Sequence, residues 1–426
     1  PIDYYLIAVA VAPYKEYNYY MHFTDGSGDS MLVQNFVYDS AAFLTPVKKS
    51  WVDSTGSVID HFSRLFGKYP FHLEKYGHCI TELDGGMEHQ TMTFMSRQNI
   101  SPTLIAHELG HQWWGNSVTY GKWDDIWLSE CMATYTEQLY LEQFQGNVAA
   151  KALRTSNFNY VMSVTNGSVW VDDTTNVNRV FDGRLTYAKG GAVAHILRYL
   201  APKDSLFFAG LRTFQQQYKY GTALTKDFKA VMEQAYGQPL DSFFRQWIYG
   251  EGFPIYNVRW AQANNVVHVK VAQTTSDPSV RVFNVPLQVK LLSANGDTTV
   301  TINIMDTAHH NIFFWDKTMT GITVDPDNHI LDYTNSTLRD PALLSVPHDI
   351  YSRLNIYPNP ATDGWHIEHL VPGSTVKLFG INGQAVWQQD NANDRAYIPA
   401  GQLLHGCYLL QIQVAGAETY YRKLLK

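Results

Sequence analysis

The chain has 426 residues, of which 45% are hydrophobic and only 17% charged, so it can bury a large core in roughly two or three domains, and disorder and a collagen-like rod are excluded. Its 32 Lys plus Arg against 39 Asp plus Glu give a formal charge of −7 without any basic run, so no nucleic-acid partner is expected. The apolar stretches, such as 4–13 and 192–201, fall short of the roughly 18 to 20 residues that a bilayer crossing needs, and no membrane span is expected.

Residues 1–50 read as strands. Tyr4, Leu6, Ala8 and Ala10 alternate, a DGSGDS turn follows at 25–30, and alternation resumes around Met31 and Val33, as at the end of an N-terminal β domain of which the rest is missing. Opening at Pro1 without Met, the chain is expected to be cut from a longer precursor. From 51 to 253 the pattern is helical: Val58, Ile59, Phe62, Leu65 and Phe66 make a 3.6-period stripe, and further helices are predicted over 185–200, 206–218 and 227–236. The span 156–186, rich in Asn, Ser, Thr, Val and Asp, reads as loops over a cleft. Beyond Pro254 the period switches to two, with Val267, Val269 and Val271, then Val285, Leu287, Val289 and Leu291, which predicts a β-sandwich over 254–334. Residues 335–352, with Pro341 and Pro347, read as a linker, and 353–426 as a second β-sandwich with an Asn382-Gly383 hairpin signal.

The chemistry lies in His107-Glu108-Leu109-Gly110-His111, inside a predicted helix that Ser101 can cap and Pro102 can open. Histidines at i and i+4 project one turn apart on one face, where both imidazoles can reach one Zn²⁺, while Ile105, Leu109 and Trp113 form the opposite, buried stripe. Glu108 beside them is free to act as a base. Chance alone places such a string roughly 0.02 times in a chain of this composition. A catalytic zinc wants three protein ligands and an open position. Glu130 stands 19 residues after His111 on a second predicted helix, 127–144, beyond the polar break 121–125. Alone, an acidic helix residue is more often a solvated charge. Glu137, two turns further on the same face, can hold one zinc histidine from behind, or can equally be solvated. Cys79, Cys131 and Cys407 are too far apart for a CxxC motif.

HELGHQWWGN followed by WLSE resembles the zinc signature of the gluzincin aminopeptidases, the aminopeptidase N and leukotriene hydrolase family, with Trp113, Gly115 and Asn116 also at family positions. Gly85-Gly86-Met87-Glu88 resembles the family's Gly-x-Met-Glu-Asn strand, and Tyr187-Ala188-Lys189-Gly190 its Tyr-Glu-Lys-Gly block. The resemblance covers about 2–332. It implies a multidomain α+β protein whose thermolysin-like, mainly helical catalytic domain is flanked by β domains. It implies that His107, His111 and Glu130 bind one Zn²⁺ per chain, that Glu108 is general base and proton shuttle, and that Tyr187 stabilises the oxyanion. Gly85, Gly86, Met87 and Glu88 would bind substrate, with Glu88 on the free α-amino group.

Two departures stand out. His89 replaces the Asn usual after the family's Glu, and Cys131 the Gly usual after the third ligand; Cys131 reads as a small buried residue rather than a further ligand. Family enzymes also draw a substrate-binding residue from a larger first domain, so amine recognition is expected to be incomplete here. In the tail, the run 355–363 (NIYPNPATD), Gly406-Cys407-Tyr408 and the run 421–426 (YRKLLK) resemble the C-terminal sorting domain of the bacterial type IX secretion system, against the plainer reading of an adhesion or carbohydrate-binding sandwich. The expected protein is a secreted or cell-surface bacterial zinc aminopeptidase of Bacteroidetes-like origin. It would act on peptides with a free N-terminus and engage the type IX machinery through its tail. The rivals are a zinc endopeptidase and a non-catalytic surface binding protein.

Overall fold

In the computed structural model, which describes residues 2–40, 45–263, 265–344, 354–414 and 419–426, the first alternating segments find partners inside a larger sheet. β1 (Tyr14–His22) and β2 (Ser30–Tyr38) form a hairpin whose turn carries Gly26 and Gly28 at φ +81° and +76°, a left-handed backbone that glycine adopts without a Cβ penalty. β2 runs parallel to β3 (Lys75–Thr81), which runs parallel to β5 (Thr93–Ser96), and the short β4 (Gly86–Met87) closes the edge in antiparallel pairing. The sheet order is β1-β2-β3-β5-β4. Residues 14–38 therefore share a sheet with the strand that bears the Gly-Gly-Met-Glu segment, and the domain boundary read at 50 falls inside this unit. The physical reason is the other half of the hairpin's alternation. Met21, Met31 and Val33 enter the same core as Val58, Ile59, Phe62 and Phe66 of α1 (Pro46–Phe66). The α1 helix starts at a Thr45 cap with Pro46 in its first turn, as expected where N–H groups need no helical partner.

The opening alternation at Tyr4, Leu6, Ala8 and Ala10 is not a strand. Tyr4–Leu6 is a single 3-10 turn, with the Leu6 N–H donating to the Asp3 carbonyl at 3.0 Å. Alternation makes a strand only where a neighbour takes up the backbone hydrogen bonds, and none among the described residues pairs with this segment, whose Ile7, Val9 and Val11 are exposed.

Helices follow in the order α2 (Pro102–Gly110), α3 (Trp127–Phe144), α4 (Asn147–Met162), α5 (Val177–Val180), a π-helical turn (Gly183–Lys189), α6 (Gly190–Tyr199), α7 (Asp204–Tyr218) and α8 (Thr225–Tyr236). Two short strands, β6 (Val118–Tyr120) and β7 (Gly221–Ala223), pair between them. Part of 156–186, read as loops, is the last stretch of α4, where Phe158 and Val161 supply a buried helical face that the polar composition masks. From Pro254 two sheets stack, one of four strands and one of three. The first half of the expected linker is structured: Tyr333–Arg339 is a strand in parallel pairing with Pro254–Ala263. Its polar side chains hide a segment held by backbone hydrogen bonds, and residues 345–353 lie outside the described set. One continuous core runs from Met21 to Leu331, crossing the expected boundary at 253, where Trp247 and Phe283 meet at 4.5 Å between ring centroids. A separate core between Ile356 and Leu424 holds the tail sandwich. Among the described residues no helix is long and apolar enough to cross a membrane.

Candidate active site

Three pieces of chain meet here. α2 starts at the Ser101 hydroxyl, which accepts from the Leu104 N–H, with Pro102 in the first turn. Its regular bonding stops at Gly110, but the His111 N–H still reaches the His107 carbonyl at 3.2 Å, so the two histidines remain one turn apart on one face. Trp113 lies in the turn beyond the helix rather than on its stripe, and α2 is buried on both faces. α3 packs against it, tied by the Thr136 hydroxyl to the Ala106 carbonyl at 2.9 Å. A Cβ at Gly110 would stand 2.6 Å from Thr136 Oγ1, so glycine sets this approach. The third piece is the sheet edge. Gly85 turns into β4 at φ +81°, and a Cβ on Gly86 would stand 2.4 Å from Glu108 Oε1. Only glycine lets the strand edge lie against that carboxylate.

The Nε2 atoms of His107 and His111 are 3.3 Å apart, and Glu130 Oε2 lies 3.3 Å from His111 Nε2 and 3.7 Å from His107 Nε2. Ligands about 2.0 to 2.1 Å from one zinc at tetrahedral angles stand about 3.4 Å from one another, so the three atoms have the spacing of three corners of such a centre. Their far sides are occupied. His107 Nδ1 is 2.9 Å from Glu137 Oε1, and His111 Nδ1 is 3.0 Å from both the Trp114 carbonyl and Ser129 Oγ. A carbonyl only accepts, so His111 donates from Nδ1, and in the neutral form of the ring the lone pair is therefore at Nε2. Two such lone pairs and a carboxylate oxygen aimed at one point repel unless a cation lies between them, and the donor set fits zinc.

The electrostatics agree. Burial opposes charge on both histidines, yet hydrogen bonds to Glu130 and Glu137 hold His107 well above the ordinary imidazole value, and the charges of Glu88 and Glu130 raise His111 to about 9. Burial would favour a neutral Glu130, but the two histidines hold it well below the usual carboxylate range. Burial pushes Glu108 up to about 7 against the pull of the same histidines. The pocket favours positive charge where the three donors meet.

Glu88, just beyond β4, is buried, and its backbone carbonyl accepts from the side-chain amides of Gln112 at 3.3 Å and Asn116 at 2.7 Å. Gln112 Oε1 in turn accepts from the Thr91 N–H at 2.9 Å. The polar residues of HELGHQWWGN thereby pin the strand edge to the histidine helix. Gln112 carries no spacing signal in the sequence; its only mark is being polar within a run that is otherwise buried. Tyr187 sits in the π-helical turn, capped by the Asp182 carboxylate, with its ring parallel to that of His107 at 6.1 Å. Such wide turns recur at functional sites because they re-aim side chains. Burial and the Glu130 carboxylate push its hydroxyl above the ordinary phenol value, so it remains a proton donor. Lys189, fully buried, donates to the Gly167 and Gly250 carbonyls at 2.6 and 3.4 Å and anchors the turn. Cys131 packs against α6, its Sγ 3.3 Å from where a Gly190 Cβ would stand.

Every site residue named from the sequence borders one cavity of about 690 Å³. Tyr5, Tyr120, Trp123 and Phe181 border it as well. They come from two 3-10 turns, a strand end and a helix C-cap, elements too short for aromatic residues to show a periodicity that could single them out.

Residues 52–247 match the peptidase family M1 domain, and residues 355–426 match the secretion system C-terminal sorting domain. Aminopeptidase M1-A of Oryza sativa subsp. japonica is 32% identical over 163 residues, 37% of this chain and 18% of the relative. Aminopeptidase N of Lactococcus lactis subsp. lactis is 31% identical over 171 residues, 38% of this chain and 20% of the relative. The chain thus spans about a fifth of the length of these two relatives. The crystal structure of Legionella pneumophila aminopeptidase A in complex with aspartic acid superposes with a TM-score of 0.61 at 15% identity, covering 76% of this chain and 38% of that one, which is a likeness of fold. Residues 52–247 are therefore similar to the peptidase family M1 domain, and residues 355–426 to the secretion system C-terminal sorting domain.

Proposed function

We propose that this protein is a zinc metallo-aminopeptidase that removes N-terminal residues from peptides, with one Zn²⁺ per chain held by His107, His111 and Glu130. The observation that carries the reading is the convergence of two imidazole nitrogens and the Glu130 oxygen in a cavity that also presents Glu108, Glu88 and Tyr187. Zinc, when bound, supplies Lewis acidity toward a peptide carbonyl and acidifies water toward a pKa of about 7. Glu108 takes a proton from the attacking water and returns it to the leaving nitrogen. The Tyr187 hydroxyl donates to the carbonyl oxygen as negative charge develops there. Glu88 accepts the substrate ammonium, and Gly85, Gly86 and Met87 form the sheet edge along which an extended peptide lies.

In this reading the catalytic unit is thermolysin-like and mainly helical, with β1 and β2 belonging to its sheet; 254–334 is a β-sandwich and 353–426 the sorting module. The tail addresses the chain to the type IX machinery and so to the exterior or surface of a bacterial cell. Elemental analysis together with a panel of free and N-acetylated peptides tests the activity. One zinc per chain and cleavage confined to free amines are expected, with Glu88→Ala weakening the free-amine substrates. Equal cleavage of blocked peptides would make it an endopeptidase, and protein without metal or turnover a binding protein.

Two substitutions probe the supporting groups. Tyr187→Phe removes one hydroxyl and keeps the ring, so kcat should fall by about 10² to 10³ with zinc content retained and KM nearly unchanged. A near-normal kcat would mean that another group carries the oxyanion. Glu137→Gln weakens the acceptor behind His107, and zinc affinity read by chelator competition should drop by about 10- to 100-fold. Unchanged affinity would leave Glu137 a bystander.

A further inference from the structure

The segment before β1 is strapped to the site at three points. Thr119 Oγ1 on β6 donates to Asp3 Oδ2 at 3.0 Å, Tyr5 OH donates to Glu88 Oε1 at 3.2 Å, and His89 Nδ1 lies 3.1 Å from the Leu6 carbonyl. A carbonyl only accepts, so His89 is the donor in the third contact. Between these contacts Leu6 is buried, while Tyr4 next to Tyr5 is 89% exposed. The fastening is selective. Tyr5 is the side chain of this strap that borders the cavity, and its hydroxyl meets the carboxylate read above as the amine anchor.

A carboxylate has two oxygens, and a single bond between its carbon and the side chain lets both swing. A phenol donating to Oε1 stops that rotation and leaves Oε2 for a second donor. The His89 departure then acquires a use. An imidazole donating to the Leu6 carbonyl, with its ring edge-on to Phe94 at 4.5 Å, holds the turn that carries Tyr5. Amine recognition, expected from the sequence to be incomplete, thereby gains a contributor from a segment that alternation alone made look like a strand.

We propose that Tyr5 is a positioning residue for recognition of the substrate's free α-amino group, orienting the Glu88 carboxylate through its hydroxyl, and that His89 latches the 3–6 segment that presents it. This deepens the aminopeptidase reading and rests on Glu88 as the amine anchor. The ligand recognised is any compound with a free α-ammonium beside an amide or carboxyl group. Tyr5 acts on Glu88 and not on the scissile bond, so its loss acts on binding more than on the chemical step.

The experiment uses the full zinc-loaded chain and two readouts. The first is steady-state hydrolysis of a phenylalanyl anilide; the second is calorimetric binding of free phenylalanine and of N-acetylphenylalanine. Tyr5→Phe should raise KM and weaken free phenylalanine roughly fivefold, as expected for loss of one hydrogen bond to a charged group, with a smaller change in kcat. His89→Ala should move both readouts the same way. The double variant should lose no more than the worse single, since the two residues act through one contact. Tyr4→Ala, altering an exposed neighbour, serves as the control for non-specific damage to the segment. If the wild type binds phenylalanine in a Glu88-dependent manner but Tyr5→Phe matches it, or if kcat falls while KM and binding hold, the assignment of Tyr5 is overturned and the aminopeptidase reading stands. If free and acetylated phenylalanine bind the wild type equally, Glu88 is no amine anchor and both readings fall.

Discussion

Replacing His111 with alanine is expected to remove zinc and hydrolysis together, by more than the ten- to hundredfold loss of affinity expected at Glu137. His111 contributes the nitrogen common to both short ligand distances, 3.3 Å to His107 Nε2 and 3.3 Å to Glu130 Oε2. Its ring is locked from behind by the Trp114 carbonyl and Ser129. Without it His107 and Glu130 form a two-ligand remnant, too few for a catalytic centre that needs three protein donors and an open position. Elemental analysis of the purified variant checks this, with thermal unfolding in the presence and absence of added zinc as a second measure. The wild type should be stabilised by zinc through its bound state, and the variant should not be. Stoichiometric zinc in His111→Ala would remove the assigned centre.

Glu108→Gln is expected to lower turnover by about 10² to 10⁴ while zinc content stays at the wild-type level, as for removal of a general base. Gln keeps the size and one acceptor of the side chain that lies against Gly86, so packing at the strand edge survives. The metal measurement here has a second use. Glu88, Glu108 and His111 also bring donor atoms within 4.8 Å of one another and make a rival trio on the same histidine. The trio His107, His111 and Glu130 is preferred, because both imidazoles present Nε2 to it and each is oriented by a partner at its far nitrogen. Zinc lost from Glu108→Gln would favour the rival instead, and turnover within a few-fold of wild type would deny Glu108 the role of base.

The features of this protein written in its sequence are those whose cause is local. The α2 cap at Ser101, the one-turn spacing of His107 and His111, the span of α3 from Trp127 to Phe144 and the glycine turn at 25–30 each depend on residues within a few positions of one another. Helical period and capping chemistry act over that range, so the sequence alone determined them. The order of the Gly-Gly-Met-Glu, His-Glu and Tyr-Ala-Lys-Gly segments also named residues that line one cavity. Only the tertiary structure decided the partners. Alternation in 14–38 tells which residues face an apolar layer but not that the layer is α1, or that β2 will run beside β3. The same ambiguity, read the other way, made a strand of Tyr4–Leu6 and assigned residues 335–339 of the strand Tyr333–Arg339 to a linker. Tyr5 on Glu88, Gln112 under the strand edge, and Gly86 against Glu108 join residues between 22 and 83 positions apart. A single contact of this kind leaves no period in the chain. It exists because folding brings two surfaces within hydrogen-bond reach, and that distance is set by the packing of whole elements rather than by either residue's neighbours.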